Sequence, residues 1–85
     1  MIEKFNIKEE LINYVFEKSD LDSINEIPLD TSLLAAGVLD SFGIIELVEF
    51  IESNWDIKIN DDEFTLERMG SIEKMTILIE EKIKP

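Results

Sequence analysis

The sequence predicts a small all-α fold: a four-helix bundle of three longer helices and one short one, with a long first loop. Three observations carry this. Apolar residues recur at three- and four-residue spacing in three separate stretches. Helix-capping residues stand at the heads of those stretches. The one alternating stretch, Trp55–Ile59, has no second strand to pair with. With 85 residues, 45% of them hydrophobic, the chain suffices for one core and is read as a single domain over 1–85.

The first helix is expected over about 7–18. Asn6-Ile7-Lys8-Glu9 reads as a capping box, with Asn6 as N-cap and Glu9 reaching back to it. Ile7, Leu11, Tyr14 and Val15 then recur on one face, which Ile12 and Phe16 widen. Asp20, Asp22, Ser23 and Asn25 break the pattern. Residues 19–40 are irregular yet rich in apolar groups, from Ile24 to Leu39, with Pro28 and Gly37 as punctuation. A connection of roughly 20 residues is unusually long; it survives in a small domain by packing its own side chains on the core. One helical turn is expected near 31–36.

The second helix is expected over about 41–54. At about 100° per residue, Ile44, Leu47, Val48, Ile51 and Trp55 share one stripe, which faces the core. Glu46, Glu49 and Glu52 lie on the opposite side, interleaved with Phe42 and Ile45. A purely acidic face is ordinarily a solvated one. Large apolar groups ringed by charge point instead to a docking surface, where charge steers and apolar anchors are buried.

Residues 55–59 read as an extended connector. Asn60-Asp61-Asp62-Glu63 is a second capping box, opening a short helix that ends near residue 67. Gly70 stops it and Ser71 caps the last helix, where Ile72, Met75, Thr76, Ile79 and Ile83 form the apolar stripe before Pro85 closes the chain.

Composition narrows the function. Twenty acidic side chains against eight basic ones give a net charge of -12, spread along the whole chain. Such a chain is expected neither to bind nucleic acid nor to adhere to anionic lipid, both of which need Lys and Arg. It suits partners with basic patches, and self-repulsion favours a monomer. Cysteine is absent, which fits the reducing cytoplasm. Histidine is absent too, which removes Ser-His units and imidazole metal sites. Met1-Ile2-Glu3-Lys4 leads into a polar pattern rather than a secretory leader. No apolar run approaches the roughly 20 residues of a membrane span, so membrane insertion is not expected.

Little in the chain supports intrinsic catalysis. Asp20–Glu26 alternates acids but lacks the central glycine of a calcium loop, so no metal site is expected. Three glycines in all provide no phosphate-binding loop. The remaining candidate is Ser41. It falls at the mouth of the second helix, after Asp40. A hydroxyl there is either a cap or a point of modification by another enzyme, since helix-terminal N–H groups favour an added phosphoryl group. Asp40 is itself a competent cap.

Gly37-Val38-Leu39-Asp40-Ser41-Phe42-Gly43, at the head of an acidic helix in a chain of this length, resembles the attachment motif of the phosphopantetheine-binding acyl and peptidyl carrier proteins. The resemblance covers nearly the whole chain. It implies that Ser41 receives 4'-phosphopantetheine from coenzyme A through a phosphopantetheinyl transferase. It further implies that the thiol of that arm holds an acyl or aminoacyl group as a thioester. Asp40 matches the aspartate before the serine, and Phe42 the hydrophobic residue after it. Ile45, Glu46 and Glu52 match positions of the helix that contacts partner enzymes, and Glu49 lies on the same acidic face. The implied partners, besides the transferase, are an activating ligase and a downstream transferase or synthase. The protein itself is then no enzyme. Glycine at 43 departs from carriers of primary fatty acid synthesis, which place an acidic residue there. The motif is more similar to dedicated carriers: D-alanyl carriers of teichoic acid modification, and stand-alone carriers of secondary metabolism. The loop and the second and third helices are expected to open an apolar groove for cargo. The alternative is a carrier-like module that is never modified and docks through its acidic helix.

Overall fold

Four helices form in the order the sequence dictates. In this computed structural model, which describes residues 4–83, they are α1 (Lys4–Lys18), α2 (Ser41–Trp55), α3 (Leu66–Met69) and α4 (Ile72–Ile83). Two single 3-10 turns, Ile24–Glu26 and Asp61–Glu63, punctuate the connections. No strand occurs among the described residues. The reading of Met1–Glu3 as leaderless and the closing Pro85 lie outside them.

α1 contributes Ile7, Leu11 and Val15 to the core, α2 contributes Leu47, Ile51 and Trp55, and α4 contributes Ile72, Met75, Leu78 and Ile79. α1 packs chiefly along α4, and α2 touches both. The centres of the stripes read from periodicity are therefore buried, with Leu78 added, while their margins, Ile12, Tyr14, Phe16, Ile44, Val48 and Ile83, are only partly buried against the core. Thr76, fully buried on α4, donates its hydroxyl to the Ile72 carbonyl at 2.8 Å, so no polar atom is stranded there. Ser71 caps α4 as expected, its Oγ accepting from Lys74 N–H at 3.2 Å.

Two boundaries differ from expectation. α1 already runs from Lys4, so Asn6 lies inside the helix and is not its cap. A mid-helix asparagine costs only a few tenths of a kcal/mol, too little to stop a helix. The expected single helix over 60–67 is instead a 3-10 turn followed by a separate α3. Glu63 does fold back to Asn60 N–H at 2.9 Å, but Phe64 then leaves helical geometry (φ -84°, ψ 72°). Thr65 starts anew, its Oγ1 accepting from Arg68 N–H at 3.2 Å.

The long loop is anchored rather than free. Ile27, Leu33 and Leu39 are buried in the core, and Leu29 C=O accepts from Glu73 N–H of α4 at 3.0 Å. Residues 32–38 form the one expected turn. Gly37 sits at φ +76° while Val38 N–H reaches Leu33 C=O and Gly37 N–H reaches Leu34 C=O, a helix stop that needs a residue tolerant of positive φ.

Glu63 also accepts from Lys82 Nζ at 2.7 Å, tying the 3-10 turn to α4. The Lys82 hydrogen bond first, and the Asn60 N–H second, hold its carboxyl below the ordinary carboxylate pKa. A pKa depressed in the folded state adds stability above the unfolded value and loses it as pH falls through the folded value. Glu63→Gln is therefore expected to melt at a lower temperature than the parent near pH 7. The gap should close as pH drops below about 4.

Candidate functional site: an exposed serine at the head of α2

The first turn of α2 is capped by Asp40, not by Ser41. Asp40 is extended (φ -91°, ψ -177°), and its Oδ1 accepts from Gly43 N–H at 2.8 Å. Its carbonyl accepts from Ile44 N–H at 3.0 Å. Ser41 is the first helical residue, exposed, and its Oγ makes no hydrogen bond to another described residue. The hydroxyl is thus presented to solvent with its capping duty taken by its neighbour. Leu39, 7% exposed, nails the segment before it to the core. Gly43 is close-packed: a Cβ there would stand 3.3 Å from both Asp40 Oδ1 and Leu39 Cβ. The absence of a side chain at 43 lets the capping carboxylate close on the helix.

Beside Ser41, Phe42 is 67% exposed and Ile45 52% exposed, though both are large and apolar. Glu49 is exposed and Glu46 half-buried. Burial first, then the charges of Glu46 and Glu49, raise the pKa of the Tyr14 phenol on α1, so both carboxylates project their field along the α1 side of α2. Tyr14 stacks on Phe50 at 4.2 Å, and Phe50 meets Trp55 edge-on at 5.8 Å, fixing α2 against α1. Glu52 is turned elsewhere. Its Oε2 accepts from Ile59 N–H at 2.9 Å, and its carbonyl accepts from Ile57 N–H at 3.1 Å, holding the 57–60 connector extended. Phe42 and Ile45 thus stand exposed in the first turn and a half of α2 after Ser41, Glu46 and Glu49 follow along the helix beside Tyr14, and Glu52 is held at the far connector.

An apolar cavity of about 220 Å³ opens between the loop, α2 and the 64–75 segment. Leu33, Leu34, Ile44, Phe64, Met69 and Met75 line it. Sequence periodicity did not place Phe64 there. Its signal is the break in helix between Glu63 and Thr65, which swings the ring out, half exposed.

No group of three or more metal-ligating side chains is assembled among the described residues. No helix among them is long and apolar enough to cross a membrane. The molecule is a small helical bundle with one exposed hydroxyl at a helix head, followed by exposed apolar and acidic side chains. That is the character of a carrier protein. The chain belongs to the family of discrete, stand-alone carrier proteins that includes the D-alanyl carrier proteins of Streptococcus pyogenes. Those of serotypes M5 (strain Manfredo), M49 (strain NZ131) and M1 are each 33% identical to it over 73 residues, which cover 86% of this chain and 91% of the relative. No family model matches the chain. As a member of this family it is a carrier and not an enzyme.

Proposed function

We propose that the protein carries an acyl or aminoacyl group as a thioester on a 4'-phosphopantetheine arm attached to Ser41 and delivers it to partner enzymes in the cytoplasm. Within that reading a D-alanyl group, the cargo named in its relatives, is the first to test. The supporting observation is the exposed, unbonded Ser41 hydroxyl behind an aspartate that has taken over the cap. Attachment requires a separate phosphopantetheinyl transferase. The serine oxygen bonds to the phosphorus that carries pantetheine, the pyrophosphate P–O bond of coenzyme A breaks, adenosine 3',5'-bisphosphate leaves with the bond's electron pair, and the hydroxyl proton passes to a base of that enzyme. The residues fit the group: the site is open, and the first-turn N–H groups of α2 favour an anion. Once bound, the arm supplies the thiol that this cysteine-free chain lacks.

The chain's own residues do the rest. Asp40 fixes the first turn, so Ser41 is offered in one geometry. Phe42 and Ile45 are the apolar anchors for an activating ligase and a downstream transferase or synthase, while Glu46 and Glu49 steer their basic surfaces. Glu52, bonded to the 57–60 connector, is left out of that docking surface. Tethering raises the effective concentration of cargo at each partner site.

Incubation with coenzyme A and a broad-specificity phosphopantetheinyl transferase tests the reading. Intact mass should rise by the arm in the parent and stay unchanged in Ser41→Ala. A parent that gains nothing would leave the docking module as the better description.

A further inference from the structure

Two adjacent residues compete to cap α2, and aspartate and serine cap helices about equally well. With Asp40 as cap, the helix starts at Ser41 and the Asp40 carbonyl accepts from Ile44 N–H at 3.0 Å. With Ser41 as cap, the helix would start at Phe42, and the serine oxygen would turn inward to accept from the N–H of residue 43 or 44. A lone pair of the nucleophilic oxygen would then be tied up and the hydroxyl held against the helix end. Intrinsic capping strength does not choose between these two frames, so a local contact can.

That contact is at residue 43. A Cβ there would stand 3.3 Å from Asp40 Oδ1 and 3.3 Å from Leu39 Cβ, both tighter than ordinary van der Waals contact. Leu39 is buried in the core, and its Cβ is fixed by the backbone. The carboxylate, the free end of a side chain, is what gives way, and in giving way it lets go of the Gly43 N–H that it holds at 2.8 Å. We infer that Gly43 is a positioning residue: having no side chain, it keeps the cap on Asp40 and so keeps the Ser41 hydroxyl free to take the arm. The inference rests on the function proposed above. Helix propensity does not explain this glycine, because residue 43 is helical under either cap and alanine would serve the helix better. Nor does backbone conformation, since the one glycine at positive φ among the described residues is Gly37.

The kinetics of arm transfer from coenzyme A by a phosphopantetheinyl transferase, read beside the carbon shifts of Ser41 in the unmodified protein, test this. In the parent, the Ser41 Cα and Cβ shifts should be helical. In Gly43→Ala they should move to extended values, and kcat should fall about tenfold, following the fraction of molecules that still offer the hydroxyl. KM should hold, because Phe42, Ile45, Glu46 and Glu49 stay on the helix under either cap. The melting temperature should not fall. Gly37→Ala should do the reverse, melting lower because φ is +76° there and loading at the parental kcat. A Gly43→Ala protein that loads at the parental kcat, or that loads slowly with Ser41 still helical, would overturn the positioning role while the parent's mass gain upheld the carrier reading. A parent that takes up no arm would overturn both.

Discussion

Leu47→Ala should lower the unfolding free energy by about 2–5 kcal/mol in chemical denaturation. Leu47 has no exposed surface and sits at the centre of the helix that presents Ser41, facing α1 and α4. The cost combines lost apolar burial with a cavity that three packed helices cannot refill. For a domain whose whole stability is about 5–15 kcal/mol, that is a large fraction. Phe42→Ala, five residues earlier on the same helix, removes a larger side chain. It should shift stability by no more than about 0.5 kcal/mol, because its ring is mostly in water already. A Phe42→Ala loss as large as that of Leu47→Ala would mean that the ring packs on the bundle and is not held out for a partner.

Association with a ligase or transferase should respond in the opposite order. Phe42→Ala is expected to weaken it about tenfold, the loss of one interfacial anchor. Glu46→Lys combined with Glu49→Lys should slow association about tenfold or more at low ionic strength. That deficit should shrink as salt rises past about 0.15 M, where exposed charges are screened over about 8 Å. Stopped-flow association against salt concentration separates the two. The aromatic loss should persist at high salt, and the charge loss should fade. A charge-reversed protein that associates at the parental rate at low salt would remove the acidic face from the docking surface.

The parts of the molecule written in local pattern were legible. The stripe of Leu47, Ile51 and Trp55 follows from helical spacing, and Ser71 at the head of α4 follows from capping chemistry. Asp40 and Ser41 are competing caps in the sequence; the fold decides between them, the carboxylate taking Gly43 N–H and leaving the hydroxyl free. What escaped depends on partners distant in sequence. Glu52 looked like one more acidic group on an outer face, yet it is bonded to Ile59, seven residues on. The split between the Asp61–Glu63 turn and α3 has a local trace in Thr65, a second capping residue, but Lys82 also holds Glu63 from nineteen residues away. The start of α1 was misplaced because a capping signature marks where a helix can begin, and not where it must.

The lone tryptophan lies at the opposite end of α2 from the serine, fourteen residues along, or roughly 21 Å by helical rise. It is 7% exposed and edge-on to Phe50. Its ultraviolet emission therefore reads helix packing and is indifferent to what hangs from the hydroxyl. Folding and loading can be followed in one cuvette on separate channels, with no dye introduced.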